Sequence, residues 1–210
     1  LDSVAAILKY QGSKTAVLNF ASYRSPGGGF IRGSIAQEEC LCHESFLYNV
    51  LESFQREFYE WNMQHKQKGL YLNRALYSPE IGFFRNGKEA FCDVITCAAP
   101  NLRLLPTNGM NPGDGNNAVK MTRAQQQALH EKRLTRILDV AVAGGNEVVI
   151  LGAFGCGAFE NDPEAVAAAF SHVIARYRRC FKTIELAIYC SPRDERNYNI
   201  FKHEIDTTLC

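Results

Sequence analysis

Short apolar runs recur along the chain and predict the strands of a central sheet. Each run is rich in β-branched or aliphatic residues and is bounded by polar residues or glycine, as strands usually are. Two of the runs are almost continuously apolar, which is typical of strands that helices cover on both faces. The predicted strands are 16–20, 91–96, 147–151 and 183–189, and an extended stretch at 75–85 joins the second of them as a hairpin through Asn86-Gly87.

Helical periodicity alternates with these strands. Apolar residues three, four and seven positions apart form the buried face of each predicted helix, and capping residues, proline and glycine mark the helix ends. The predicted helices are 37 to about 67, 122–143 before Gly144-Gly145, a third that Asn161-Asp162-Pro163 opens and that runs to about 179, and 194 to about 205. Strands that alternate with helices over one core indicate an α/β fold with a largely parallel sheet.

The chain has 210 residues without an internal repeat or a linker of different composition, so we expect one domain. A turn-rich loop at 101–120 is of the kind that covers a site or is mobile. No run approaches the ~20 apolar residues of a membrane span, and the start, Leu1-Asp2-Ser3, shows no signal peptide. Because the chain does not begin with Met, we expect it to be a fragment.

Composition narrows the classes of partner. Hydrophobic residues make up 46% and charged residues 21%, the mix of a soluble globular protein. Lys+Arg 23 against Asp+Glu 22 gives a formal net charge of +1. A broad electrostatic hold on nucleic acid or an anionic membrane needs a basic excess, so any anionic ligand has to be held by a local site. We therefore expect no membrane contact and no sequence-specific nucleic-acid partner. We also expect the chain to be a monomer.

The eight cysteines are best explained as reduced thiols. Several lie in apolar runs, where cysteine behaves as a small hydrophobe, and a chain of this length needs no disulfide staples. The only close pair, Cys40-Leu41-Cys42, lacks the second ligand cluster of a zinc site. We expect a cytoplasmic protein without a metal.

Two glycine-rich loops each follow a predicted strand and precede a helix: Ser25-Pro26-Gly27-Gly28-Gly29-Phe30 and Gly152-Ala153-Phe154-Gly155-Cys156-Gly157-Ala158-Phe159. Ligands of α/β proteins bind beyond the carboxyl ends of strands, where glycines let the main chain approach a phosphate. Each loop taken alone is explained by a tight turn, whereas two loops in equivalent positions favour a diphosphate site. Neither loop matches the dinucleotide fingerprint or the P-loop.

An acidic pair stands at the start of the first predicted helix, in Gln37-Glu38-Glu39. Acidic residues in a first helical turn complement the helix dipole, and this explains most such pairs. The functional alternative is that one carboxyl faces a ligand held by the glycine loops. Adjacent helical residues point about 100° apart, so they cannot flank one bond as an ordinary glycosidase pair does. One glutamate would then act first as acid and afterwards as base.

These features together resemble the GGG-x(6–8)-QEE signature of poly(ADP-ribose) glycohydrolases, in the bacterial-type branch that has only the macrodomain. The resemblance runs from Phe20-Ala21-Ser22 through both glycine loops and Gln37-Glu38-Glu39 to Asn161-Asp162-Pro163, and it spans about 17–201. It implies a macrodomain-like three-layer α/β/α sandwich with a mixed, largely parallel central sheet. Residues 1–210 would form this single macrodomain, with the family's usual N-terminal helical extension truncated.

The resemblance also implies roles for individual residues. Glu39 would be the general acid that protonates the leaving ribose oxygen and would then activate water, while Glu38 hydrogen-bonds a ribose hydroxyl. The other implied substrate-binding residues are Asn19, Ser22, Gly27, Gly28, Gly29, Gln37, Gly155, Cys156, Gly157, Ala158 and Phe159. Of these, Gly155, Cys156, Gly157 and Ala158 would donate backbone N–H groups to the diphosphate, and Phe159 would pack against the terminal ribose. No cofactor is implied. Phe154 stands where the family commonly has tryptophan, and Glu160 where it commonly has glycine.

The implied activity is hydrolysis of the ribose–ribose O-glycosidic bond of poly(ADP-ribose), with release of terminal ADP-ribose. One alternative is a hydrolase of mono-ADP-ribosylated protein or nucleic acid, which would carry the same glycine loops. Another is a macrodomain that binds ADP-ribose without turnover, against which the intact Gln37-Glu38-Glu39 argues.

Overall fold

A computed structural model describes residues 1–103, 119–190 and 194–209, and within them one mixed five-stranded sheet orders the chain. The strands are β1 (Thr15–Phe20), β2 (Ala75–Arg85), β3 (Lys88–Cys97), β4 (Val148–Leu151) and β5 (Thr183–Leu186), in the order β2-β3-β1-β4-β5. Only the β2–β3 pair is antiparallel. The predicted hairpin and the largely parallel sheet are therefore confirmed.

Helices cover both faces of the sheet. They are α1 (Ser3–Lys9), α2 (Gln37–His43), α3 (Leu47–Glu52), α4 (Trp61–Gln64), α5 (Arg123–Ala143), α6 (Pro163–Tyr177) and α7 (Arg196–Leu209), with a π-helical segment at Gln55–Glu60 before α4. Helices α5, α6 and α7 share one buried core with Ala16 and Leu18 of β1, whereas α1, α2 and α3 share the other with Val17. Because alternate residues of a strand point to opposite faces, this is a three-layer α/β/α sandwich, as expected.

The predicted helix 37 to about 67 is wrong, because the chain is interrupted between α2 and α3. Ser45 forms a bridge with Phe83 of the edge strand β2, and Phe84 N–H donates to Glu44 O. The Ser45 hydroxyl donates to Leu41 O at 2.6 Å and accepts from Leu47 N–H at 3.1 Å. These bonds to strand and side chain replace the helical ladder, and such contacts lie beyond the reach of local periodicity.

Other boundaries differ by smaller amounts. The strand predicted at 183–189 ends at Leu186, and β3 begins three residues before the predicted Phe91. Helix α1 was not predicted, although Asp2 caps it by accepting from Ala5 N–H at 2.9 Å. Most of the loop predicted at 101–120 lies outside the described residues. Within the described part of the chain, no helix is long and apolar enough to cross a membrane.

The topology brings the two glycine loops together. Strands β1 and β4 are parallel neighbours, so the loops that follow them leave the same edge of the sheet. The first loop leads to α2 and the second to α6. Their predicted positions after strands and before helices are confirmed, and this edge is where ligands of such sheets bind.

Candidate functional site

Gln37 fixes the first turn of α2 against β1. Its side-chain Nε2 donates to Leu18 O at 2.9 Å and to Ser3 Oγ at 3.1 Å, while its Oε1 accepts from Phe20 N–H at 2.9 Å. The residue before the helix, Ala36, gives no side-chain cap. Both ends of the Gln37 amide are thus engaged by the protein, and the predicted contact to a nucleotide stays a prediction.

Glu38 is 3% exposed, and both of its carboxyl oxygens have partners. Oε2 accepts from Ser22 N–H at 2.7 Å, and Oε1 accepts from Asn19 Nδ2 at 3.2 Å. Burial raises the pKa of Glu38 to about 8, and the neighbouring charge of Glu39 adds to the rise. The hydrogen bonds to the carboxylate oppose this rise without cancelling it. The Glu38 carboxyl is therefore a weaker acid than an ordinary glutamate.

Glu39 is 7% exposed and has one occupied and one open oxygen. Oε1 accepts from Gly29 N–H at 2.7 Å. Oε2 has no hydrogen-bond partner among the described residues. It is also not one of the fully buried polar atoms that lack a partner, so it keeps some contact with solvent. The carboxyl is thus held in place by one oxygen, while the other remains accessible to a ligand.

The first glycine loop packs directly against this acidic pair. Gly28 has φ +60°, and a Cβ built on it would lie 2.5 Å from Glu39 Oε1 and 3.0 Å from Glu38 Oε2. A Cβ on Gly27 would lie 2.8 Å from the Tyr48 ring. Gly28 N–H donates to Ser25 O, and Gly29 N–H donates to Glu39. In this conformation the N–H groups of Gly28 and Gly29 donate within the protein, and the predicted contact of this loop to a ligand stays a prediction.

Asn19 and Ser22 lie beside the acidic pair, and their predicted contact to the substrate stays a prediction. Asn19 is fully buried, donates to Glu38 and to Thr96 Oγ1, and leaves its Oδ1 without a partner among the described residues. The Ser22 hydroxyl accepts from the N–H groups of Arg24 and Ser25, both at 3.2 Å. Ser22 therefore shapes the turn that carries its own N–H to Glu38.

The second glycine loop presents free N–H groups. Cys156 N–H donates to Ala153 O at 3.1 Å, so one of the predicted diphosphate donors is already engaged. The N–H groups of Gly155, Gly157 and Ala158 have no acceptor among the described residues. Three neighbouring backbone donors on one loop form an anion-binding concavity.

A cleft of about 590 Å³ opens beside this loop. Its walls include Gly155, Gly157, Ala158 and Phe159 of the second loop, Phe20 and Gln37, the α1 residues Ser3 and Val4 with Asp2, and Ala187, Ile188 and Tyr189 after β5. Neither Glu38 nor Glu39 is among the described residues that line this cleft. Sequence reasoning did not single out Tyr189, which is 73% exposed; its place as the last residue of the predicted strand 183–189 was the available signal.

The described residues contain neither a disulfide nor a group of side chains that could hold a metal ion. The seven cysteines among the described residues are unpaired, and Cys210 lies outside them. Burial and the nearby Asp162 raise the pKa of the Cys156 thiol to about 12, so this thiol is protonated and weakly nucleophilic. In the described segments, no cluster of three or more His, Cys, Asp or Glu residues is arranged to hold a metal ion.

A family model and solved structures both match this chain and point to the same family. The family model of the microbial-type PARG catalytic domain matches residues 1–86. A search of curated proteins gave no match.

Solved structures match over nearly the whole chain. Poly(ADP-ribose) glycohydrolase from Deinococcus radiodurans in complex with ADP-ribose is 33% identical in one crystal form, with a TM-score of 0.80 over 99% of this chain and 81% of that chain. In a second crystal form the values are 30%, 0.80, 100% and 83%. The enzyme from Thermomonospora curvata is 27% identical, with a TM-score of 0.82 over 96% of this chain and 72% of that one.

Proposed function

The chain belongs to the poly(ADP-ribose) glycohydrolase family, and from this premise we propose that it hydrolyses the ribose–ribose O-glycosidic bond of poly(ADP-ribose) and releases ADP-ribose from the chain end. The observation that carries the proposal is the acidic pair with unequal surroundings. Glu38 has both oxygens hydrogen-bonded, whereas Glu39 keeps Oε2 open beside the glycine loop. One carboxyl is thus arranged to orient and the other to react.

Glu39 would supply the acid–base chemistry. Its carboxyl protonates the ribose oxygen that leaves as the glycosidic bond breaks, and the carboxylate then removes a proton from the attacking water. The water oxygen becomes bonded to the anomeric carbon, so a proton is returned to Glu39. Glu38, fixed by Ser22 and Asn19, would hold a hydroxyl of the same ribose. One carboxyl serving both steps is consistent with adjacent residues on a single helical turn.

The cleft would hold the rest of the ADP-ribose unit. The free N–H groups of Gly155, Gly157 and Ala158 would bind the diphosphate, and Phe159 beside them would pack on the terminal ribose. The exposed ring of Tyr189 at the other wall is suited to stack on the adenine. This arrangement binds an anion through backbone dipoles and does not need a basic surface.

The central test compares wild type with Glu39→Gln, which keeps the shape of the side chain and its bond from Gly29 N–H. Wild type should release ADP-ribose from purified poly(ADP-ribose), followed by chromatography. The variant should lose several orders of magnitude in turnover, of which loss of the acid–base accounts for about 10²–10⁴. Binding of free ADP-ribose, measured by calorimetry, should stay within about threefold of wild type, because the cleft is unchanged.

Two other outcomes would contradict the proposal in different ways. A wild type that binds ADP-ribose tightly but releases nothing would be a non-catalytic binding module. A wild type that is inactive on the polymer but removes single ADP-ribose units from modified protein or nucleic acid would be a mono-ADP-ribosyl hydrolase. An exposed carboxyl serves as control, since Glu89→Gln should leave turnover unchanged.

We also propose that the chain acts as a monomeric single domain in the cytoplasm. The single sheet shared by the described residues supports one domain. The unpaired state of the seven described cysteines supports a reducing compartment.

A further inference from the structure

Asn161 ties the second glycine loop together. Its backbone N–H donates to Gly155 O at 3.1 Å, and its side-chain Nδ2 lies 2.9 Å from the same oxygen. The same Nδ2 lies 2.7 Å from Pro100 O and 3.3 Å from Phe159 O. Asn161 is only 3% exposed, so these bonds are shielded from water. One side chain thus fixes both ends of the segment that carries the free N–H groups.

The surroundings of Asn161 fix the orientation of its amide. Three carbonyl oxygens face Nδ2, and a flipped amide would direct Oδ1 at all three. Oδ1 therefore points the other way, where His130 Nε2 lies 2.9 Å from it. Because Oδ1 only accepts hydrogen bonds, Nε2 has to carry the proton. His130 is the donor that completes the set.

His130 is built to hold one tautomer. It is 1% exposed, its ring edge faces the Phe154 ring at 6.1 Å between centroids, and its Nδ1 has no partner among the described residues. Burial lowers the pKa of His130 to about 4, and the charge of Arg133 adds to this fall, whereas the hydrogen bond to Asn161 opposes it. The imidazole is therefore neutral, with a single proton available for Asn161.

Helix α5 also holds the neighbouring segment that Asn161 reaches. Arg133 lies one turn after His130, is fully buried, and donates from Nη1 to Ala98 O at 3.0 Å. Gln126 Oε1 accepts from Asp162 N–H at 3.1 Å. The second glycine loop and the segment at Pro100 are thus both anchored to one face of α5.

We propose that His130 and Asn161 are positioning residues for the second glycine loop, holding its free N–H groups in the arrangement that binds a diphosphate. The inference rests on the proposed function, because it assigns that loop to the ligand. Gly155 shows how closely the parts fit: a Cβ built there would lie 2.7 Å from Asn161 Nδ2, at φ +82°. Loss of the His130 donor frees the Asn161 amide to turn, and the loop loses its fixed shape.

The test measures the Kd for ADP-ribose by calorimetry and the KM and kcat on poly(ADP-ribose). His130→Leu, which cannot donate, should raise both Kd and KM roughly tenfold, the worth of a buried hydrogen bond. Its kcat should stay within about twofold, since Glu38 and Glu39 are untouched. His130→Gln offers an amide N–H in place of Nε2–H and should restore most of the affinity. The Kd for adenosine, which has no diphosphate, should be the same in all three proteins.

The matched control is Tyr77→Phe, which removes a partly buried hydrogen bond to Asp93 away from the site. It should lower Tm without changing the Kd for ADP-ribose. The inference is wrong if Tyr77→Phe weakens binding as His130→Leu does, or if His130→Leu and His130→Gln both bind as wild type. A wild type that binds ADP-ribose without hydrolysing the polymer overturns the proposed function alone, whereas a wild type that does not bind ADP-ribose overturns both.

A measurement on the unaltered protein makes the test independent of how the variants fold. Nitrogen-15 NMR of the histidine rings reports which nitrogen carries the proton. The inference requires the Nε2–H tautomer for His130 at neutral pH, and detection of the Nδ1–H tautomer would overturn it.

Discussion

Glu38 and Glu39 are neighbours in one helical turn, but their carboxyl groups differ in their hydrogen-bond partners. Glu38 receives hydrogen bonds on both oxygens and is nearly inaccessible, so it cannot exchange a proton with water easily. Among the described residues, Glu39 accepts a hydrogen bond only from Gly29 N–H, so its other oxygen keeps no protein partner there. Sequence similarity suggested these roles, and the hydrogen bonds give a physical reason for the same assignment.

The raised pKa of Glu38 predicts a pH-dependent cost in stability. Its pKa is about 8 in the folded protein against 4.5 for an ordinary glutamate, so between these values the folded state binds a proton that the unfolded state has lost. Stability is therefore full below the lower value and falls as pH rises to about 8, by on the order of a few kcal/mol. Glu38→Gln should accordingly raise Tm relative to wild type by a margin that grows from about pH 5 to about pH 9.

Thermal unfolding at several pH values checks this expectation, with the exposed Glu89→Gln as control. The control should show no such growth. A Glu38→Gln margin that is the same at both ends of the pH range would mean that the carboxyl is ionised throughout.

At the scale of elements, the two glycine loops differ in the hydrogen-bond acceptors of their backbone N–H groups. The first loop directs them at the acidic pair and at its own turn, whereas Gly155, Gly157 and Ala158 of the second have N–H groups without an acceptor among the described residues. Their glycines are required for different reasons. Gly28 permits the loop to touch both carboxyls, while Gly155 makes room for Asn161.

Gly28→Ala should abolish activity through contact with the acidic pair. The added Cβ meets Glu39 Oε1 at 2.5 Å, so the carboxyl or the loop has to move. Gly33→Ala is a matched control, since Gly33 also has positive φ, at +78°, but nothing lies within 4 Å of its Cβ. Both variants should lose about 1 kcal/mol of stability from the backbone strain.

Turnover of poly(ADP-ribose) and urea unfolding separate the two effects. Only Gly28→Ala should lose turnover, by at least about 10²-fold, as expected when a catalytic group is displaced. Equal turnover in the two variants would show that contact between the added Cβ and Glu39 has no effect on catalysis.

The elements also show where sequence reasoning reached its limit. The positions of both loops and of the acidic pair could be predicted from glycines that follow apolar runs. Strand ends and helix starts depend on residues close together in the sequence, so local patterns indicate them. The interruption at Ser45 did not, since it depends on pairing with Phe83, thirty-eight positions away. The same holds for the bond from Gly29 N–H to Glu39, which turns an expected phosphate donor into a carboxylate holder.

For the whole molecule, near-neutral charge and a backbone-lined cleft belong together. The net charge of +1 gives the surface little attraction for a long polyanion. The parallel pairing of β1 and β4 instead gathers the carboxyls and the free N–H groups at one sheet edge. Under the proposed function, this arrangement would hold one ADP-ribose unit and contact the rest of the polymer weakly.

This arrangement predicts a shallow dependence of activity on salt. Proteins that neutralise 6–10 phosphates of a nucleic acid lose about 10³–10⁵ in affinity between 50 and 200 mM salt, because bound counterions are released. Contacts through backbone N–H groups to a single diphosphate release few ions, so kcat/KM on poly(ADP-ribose) should fall less than about tenfold over the same range. The Kd for free ADP-ribose should show a similar slope, since one unit supplies the contacts in both cases. A slope much steeper for the polymer than for ADP-ribose would instead place several further units of the chain against a basic surface.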